Sequence, residues 1–150
     1  MVQAKPYYIF DLDGTLADTA HRIHHISGPE KDWNAFYEAC KDDTPIESTL
    51  AILRSLHSQG YRIVILTGRS EVVQSETVQW LAEHGVFRLH MMVMRPDGDF
   101  RPDHVLKSQW VRELALTPDN VLGIFEDRER VVRMWRKKGY TCYQVDEGNF

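Results

Sequence analysis

Cysteine is scarce, with only Cys40 and Cys142 in 150 residues. Two thiols so far apart fit no metal-ligand spacing, so both are expected to be reduced, in the core or at the surface. A reducing cytoplasm is the compartment that follows by default. Long hydrophobic runs are also missing. No stretch approaches the length needed to span a bilayer, and the N-terminus lacks the charged-then-apolar pattern of a signal peptide. An excess of positive charge is absent too. With 18 Lys and Arg against 22 Asp and Glu, the formal net charge is −4. That balance argues against bulk adhesion to nucleic acid or membrane and leaves room for a local basic patch. There is no internal repeat, low-complexity segment or interdomain linker. What remains is an ordinary globular composition, 43% hydrophobic and 27% charged, in a chain long enough for a proper core. One domain over residues 1–150 is expected.

Short apolar runs alternate with helical patterns. Tyr7–Phe10, Arg62–Leu66, Met91–Met94, Val121–Phe125 and Cys142–Val145 read as strands. Thr49–Ser58, Glu71–His84, Val105–Leu116 and Glu129–Lys138 repeat apolar residues at helical spacing. Gly60, Gly85 and Gly139 stand where helices should stop. The alternation predicts an α/β fold, a central parallel sheet with helices on both faces. Residues 16–48 break the rhythm: they look helical, turn at Gly28–Pro29, and are too long for a plain crossover. A small insert over the mouth of the sheet and an extra packing layer are equally good readings.

At the end of the first strand, "DLDGT" sets Asp11 and Asp13 on either side of one leucine. Ligands of open α/β sheets bind at the strands' carboxyl ends. Two like charges this close need a cation or a proton between them, and Mg²⁺ is a hard, oxygen-seeking candidate. An Asx turn with a helix cap explains a lone DxDG equally well. Three further features follow later strands: Thr67 and Gly68 in "IVILTGRS", just ahead of an expected helix N-terminus; Lys107 in "RPDHVLKSQW"; and Glu126–Asp127 in "VLGIFEDRERVV". Each alone has a structural explanation, as a cap, a solvated face or a loop start. Four at successive strand ends are hard to dismiss.

This constellation resembles the haloacid dehalogenase-like (HAD) phosphohydrolases, over nearly the whole chain. The resemblance implies a Rossmann-like α/β/α fold and Mg²⁺-dependent phosphate-ester hydrolysis. It further implies Asp11 as nucleophile and Asp13 as general acid, then base. Thr67 and Lys107 would hold the phosphoryl group, and Asp11, the Asp13 carbonyl and Asp127 the metal. The second acid, Asp13, points away from the dehalogenases. "MRPDGDFRPDHVLK" followed by "EDRERVVRMWRKKGYTCYQVDEGNF" is similar to the 3′-phosphatase domain of phage-type polynucleotide kinases. A 3′-phosphate on DNA or RNA ends is therefore the expected substrate, with free nucleotides or another small phosphomonoester as the alternative. A non-catalytic binding module stands as a rival from another class. The pattern departs at Glu126, where the family usually has Asp, so Glu126 is expected to act through water or by orienting a neighbour. No G-x-x-x-x-G-K-[ST] loop occurs, so 5′-kinase activity is not expected.

Gly68, Arg69, Arg95, Arg101 and Arg128 are the candidate substrate contacts. Arg95 and Arg101 are expected to clamp a phosphate bidentately. Arg130, Arg133, Lys137 and Lys138 read as a solvated helix face. His21, Arg22, His24 and His25 form a basic start to the insert that could touch substrate. Trp33, Phe36 and Tyr37 could stack on a base or pin the insert to the core, the second reading being somewhat favoured. Trp80, Trp110 and Trp135 read as core. No protein partner is evident.

Overall fold

Alternating side chains of one strand decide the layering. Ile63 and Ile65 enter one hydrophobic cluster, whereas Val64 and Leu66 enter another on the opposite side of the sheet. The computed structural model describes residues 3–149. In chain order its elements are β1 (Tyr7–Phe10), β2 (Ala17–Asp18), α1 (Trp33–Glu38), β3 (Thr44–Pro45), α2 (Glu47–Ser58), β4 (Arg62–Ser70), α3 (Gln74–Glu83), β5 (Met91–Arg95), α4 (Asp103–Glu113), β6 (Val121–Arg128), α5 (Glu129–Lys137) and β7 (Cys142–Gly148). Single 3₁₀ turns cover Ala20–His25, Ala39–Asp42 and Glu71–Val73.

Five strands pair in the order β5-β4-β1-β6-β7, all parallel. Apolar side chains of α4 and α5 (Leu106, Trp110, Val131, Trp135) pack with Ile9 and Ile124 on one face. Those of α2 and α3 (Leu50, Leu53, Trp80, Leu81) pack with Phe10 and Ile65 on the other. The expected three-layer α/β/α fold is the one observed. The chain runs outward from β1 to β4 and β5, then returns to add β6 and β7 on the other side. That reversal puts the topological switch point between β1 and β6, where such sheets bind ligands. Asp11 follows β1, and Asp127 lies near the end of β6.

Three strands run well past their expected ends, β4 to Ser70, β6 to Arg128 and β7 to Gly148. Reading strands by apolar content stopped them at the first polar residue. The backbone instead continues through a register shift on each side, so that Ser70 pairs with Arg95 and Arg128 with Gly148. Consequently the helix expected from Glu71 begins with a 3₁₀ turn, and α3 proper starts only at Gln74. Thr67 and Gly68 lie within the strand extension, not against a helix N-terminus.

The stretch between β1 and α2 is mixed rather than wholly helical. β2 and β3 pair antiparallel (Ala17 with Pro45, Asp18 with Thr44) and close the loop at its base. Between them lie two 3₁₀ turns and α1, whose N-terminus is capped by the Asp32 carboxylate accepting from Ala35 N–H. The side chain of Phe36 is buried, whereas Trp33 is 43% exposed, so the insert both anchors itself and presents an aromatic ring. Cys40 and Cys142 are free and buried, and among the described residues no helix is long and apolar enough to cross a membrane. The final Phe150 of the resembling pattern lies outside the described residues.

Trp80, Trp110 and Trp135 are all buried, as their helical spacing predicts. Trp135 is fully enclosed between α4 and β7 neighbours, so truncating it leaves a large void. Trp135→Ala should lower stability by about 3–5 kcal/mol in chemical denaturation, with the m-value unchanged. A loss below ~1 kcal/mol would mean that the cluster refills the space.

Candidate active site

Asp11, Asp13, Glu126, Asp127 and Arg69 line a cavity of about 700 Å³ where β1, β4 and β6 end, and the buried Lys107 and Arg22 pair with these acids from behind it. Lys107, on the buried face of α4, is 1% exposed and donates to Asp11 Oδ1 and to Glu126 Oε2, both at 2.8 Å. Burial by itself would push the ammonium's pKa down. The two carboxylates outweigh it and hold Lys107 protonated, above its usual range. The other oxygen of Asp11 accepts from the Thr15 hydroxyl at 3.0 Å. Glu126 is fully engaged, because its Oε1 accepts from the Asp127 and Arg128 backbone N–H groups at 3.2 and 3.3 Å. Its side chain thus braces Lys107.

Asp127 is different. Its carboxylate has no cationic partner among the described residues, only the Thr15 hydroxyl at 3.4 Å, whose single proton is better placed toward Asp11. Burial, then the charge of Asp11, push the Asp127 carboxyl up to about 7. Burial and Asp11 likewise raise Glu126 despite Lys107. Oxygens of Asp11, Glu126 and Asp127 lie within 4.8 Å of one another, a spacing that suits a divalent cation. One ammonium against three buried acids leaves the charge unbalanced, and a cation beside Asp127 would restore it. Gly14 makes the approach possible. Its φ is +83°, and a Cβ there would stand 2.1 Å from Asp127 Oδ2.

Asp13 sits in a separate network. Arg69, 1% exposed, donates to Asp13 Oδ1 from Nε and Nη2, and Nη2 also reaches Asp43 Oδ2 at 3.0 Å. Arg22, fully buried, donates to Asp13 at 3.0 Å and to both oxygens of Asp43 at 2.7 and 2.9 Å. Burial alone would raise the Asp13 carboxyl, but the two guanidiniums prevail and hold it below the ordinary range. His21 and the Trp80 indole complete the shell of Asp43, on its carboxylate and its carbonyl respectively.

Several expectations change on this geometry. Arg22 is not a surface cation of the insert: its guanidinium lies over the Phe36 ring and inside the Asp13–Asp43 network. Arg69 also lines the cavity, but its donors go to Asp13, Asp43 and Thr77, so it positions carboxylates instead of standing open to a ligand. Arg95 is similarly engaged, donating to the carbonyls of Gly68, Asp99 and Arg101 and to the Asp103 carboxylate. Arg101 forks onto Asp99, whose pKa its hydrogen bonds lower to about 2. The bidentate phosphate clamp expected of Arg95 and Arg101 is, in this arrangement, a clamp on their own loop. Arg128 lines the cavity and donates to Asp103 Oδ2 at 3.1 Å. Asp103 therefore links Arg95 to Arg128 and packs where Gly68 has no side chain, a Cβ there lying 2.5 Å from Asp103 Oδ1. Arg130 is exposed, as expected of a solvated face, and also lines the cavity wall.

Asp43 is not singled out from sequence, and Asp103 only as a position of the run that resembles the polynucleotide-kinase phosphatases, with no role of its own. A carboxylate within "KDDTP" or "RPDHV" carries no pattern that separates a buried ion-pair partner from a surface acid; only the fold brings their cations to them.

The Asp127 shift fixes a pH dependence. Its folded-state pKa lies above the unfolded value of 3.8, so its stabilising contribution is present at low pH and is lost between about 4 and 7. A divalent cation should offset that loss. Thermal unfolding with excess Mg²⁺ against chelator should show a larger gain in Tm near pH ~7.5 than near pH ~5, and Asp127→Asn should remove most of it. Equal gains at both pH values, or none, would contradict a metal site at Asp127.

Comparison with known proteins agrees with the fold. The family described as "Polynucleotide kinase PNKP phosphatase domain" matches residues 5–150. A bifunctional polynucleotide kinase/RNA ligase, so named, of Autographa californica nuclear polyhedrosis virus is 26% identical over 130 residues, 84% of this chain and 17% of that protein. A chain of the Pnkp1/Rnl/Hen1 complex superposes with a TM-score of 0.81 at 28% identity, covering 97% of this chain and 47% of that one. A phosphatase-like protein from Clostridium acetobutylicum shares the fold at a TM-score of 0.67 and 19% identity, covering 97% and 87% of the two chains. The chain thus spans less than half the length of the first two relatives. By its match from residue 5 to residue 150, the chain is a HAD-type phosphatase domain and belongs to the polynucleotide kinase PNKP phosphatase domain family.

Proposed function

We propose that this domain is a Mg²⁺-dependent phosphomonoesterase that removes 3′-phosphates from nucleic-acid ends. The observation that carries the reading is Asp11, a carboxylate held between Lys107 and Thr15 at the floor of the cavity, with Asp127 poised for a cation beside it. Asp11 attacks phosphorus in line, the ester P–O bond breaks, and an aspartyl-phosphate forms. Asp13 gives a proton to the leaving 3′-oxygen, then takes one from the water that attacks phosphorus and releases inorganic phosphate. Its pairing with Arg22 and Arg69 favours the carboxylate form, ready for the second step; every arginine bond ends on Oδ1, so Oδ2 is the oxygen that carries the proton for the first. Lys107 offsets the charge of Asp11. The Thr67 hydroxyl accepts from Arg69 N–H at 3.0 Å, which leaves its own proton for a phosphoryl oxygen. Asp11, Asp127 and the Asp13 carbonyl would hold Mg²⁺, which supplies charge neutralisation at the phosphoryl group.

Membership in the polynucleotide kinase PNKP phosphatase domain family supports a 3′-phosphorylated end as substrate. A free mononucleotide is the second reading. It is favoured by the self-contained pairing of Arg95 and Arg101, which removes two expected contacts to a longer backbone. Arg130 is the cavity-lining cation that makes no ion pair among the described residues, and it suits a neighbouring phosphodiester. A non-catalytic module is disfavoured because every group that the chemistry needs converges. The relative in the Pnkp1/Rnl/Hen1 RNA repair complex is found with other proteins, so association with further repair components is part of the proposal, contrary to the expectation of no partner.

The test is Mg²⁺-dependent phosphate release from a 3′-phosphorylated oligonucleotide beside 3′- and 5′-mononucleotides. Asp11→Asn should abolish release while the protein stays folded. Arg130→Ala should lower kcat/KM for the oligonucleotide several-fold more than for mononucleotides. Wild-type preference for mononucleotides would make the domain a nucleotidase.

A further inference from the structure

Among the described residues, four of the exposed large apolar side chains, Ile23, Trp33, Val72 and Phe100, line the one cavity that holds the carboxylates. Phe100 is the extreme, 88% exposed. Leaving a phenylalanine in water forgoes about 1.5–3 kcal/mol of burial, so a loop that displays one on a rigid mount is unusual.

The mount is rigid. Arg95 Nη1 donates to the carbonyls of both neighbours of Phe100, Asp99 and Arg101. Those two residues are themselves forked together, Asp99 N–H is bonded to the Pro96 carbonyl, and Asp97 N–H to the Glu71 carboxylate. Pro96 and Pro102 bracket the turn. The backbone on both sides of Phe100 is thus hydrogen-bonded, while its ring stays in the open. Arg95 and Arg101 line the cavity too, but they spend donors on the turn that carries the phenylalanine.

We infer that Phe100 is the stacking platform for the terminal nucleobase of the phosphorylated end, with Trp33 on the insert side of the same cavity. The inference rests on the proposed function and names what lies beyond the phosphate. A floor of carboxylates and the Thr67 hydroxyl, with Lys107 buried behind Asp11, selects the phosphoryl group, and a cavity of about 700 Å³ has room for the attached nucleoside. Stacking is tolerant of base identity, so the platform would grip any terminal base and none where the base is missing.

The experiment compares kcat/KM for two 3′-phosphorylated oligonucleotides, one with a normal terminal base and one abasic at that position. Wild type should prefer the base-bearing end by about tenfold, the worth of one stacked base. Phe100→Ala should bring the ratio close to one, Phe100→Trp should keep it, and Phe87→Ala, an exposed phenylalanine away from the cavity, should not change it. A wild-type ratio of one, or a ratio indifferent to Phe100→Ala, overturns the platform and leaves the face to a protein partner. A second readout separates this from the proposed function. Terminal 2-aminopurine in a 3′-phosphorylated oligonucleotide should be quenched on binding to Asp11→Asn, and the quench should vanish in Asp11→Asn/Phe100→Ala. Phe100-dependent quenching without phosphate release by wild type would keep the platform and reject the phosphatase substrate; loss of the quench in neither variant would reject the platform.

Discussion

Like charges brought together out of water set the terms for this structure. Asp11, Asp13, Glu126 and Asp127 converge at the ends of two neighbouring parallel strands, and each must be offset or the fold does not hold. The protein solves this in two separate compartments. Lys107 serves Asp11 and Glu126, and the arginine pair serves Asp13 and Asp43. Asp127 is left without a cationic partner among the described residues, and with Asp11 and Glu126 it borders the place that suits a divalent cation. The suitability of this place for a divalent cation follows from the charges and spacing of the three acids, before any likeness to other proteins is considered.

The second compartment ties the insert to the chemistry. Asp43 ends the 3₁₀ turn before β3, Arg22 lies in the turn before α1, and Arg69 comes from the extension of β4. Asp43 also receives the Trp80 indole from α3, so insert, sheet and outer helix share one buried node. Asp13 is placed by that node. The insert is therefore an integral wall of the site and also the support of its second acid.

The layered fold was legible because buried parallel strands are short apolar runs and the helices between them keep a clear period; the ends of the strands were not. Polar residues at Thr67–Ser70 and Glu126–Arg128 continue as strand through register shifts that no apolar pattern marks. Asp11, Asp13, Thr67 and Asp127 could be singled out because they sit at the ends of successive strands, and Lys107 because it lies in the helical segment that follows the next one. Arg22 and Asp43 could not, since their meaning depends on each other across 21 residues of irregular chain. Position near the mouth and the family resemblance both point Arg95 and Arg101 at the ligand, whereas nearby acids and carbonyls take their donors. Phe100 went unnoticed because an exposed aromatic in a Pro- and Gly-bracketed turn looks in sequence like a buried one.

The claim at the centre of this account is that Asp11 carries the phosphoryl group in transit. Rapid quenching of the Mg²⁺-loaded enzyme during turnover of a 3′-phosphorylated oligonucleotide, followed by borohydride reduction and peptide mass spectrometry, tests it directly. An acyl phosphate at Asp11 would be reduced to homoserine at position 11, in proportion to the intermediate trapped. Homoserine at another aspartate, or none at any quench time while phosphate is still released, would show that the reaction runs without Asp11 as nucleophile.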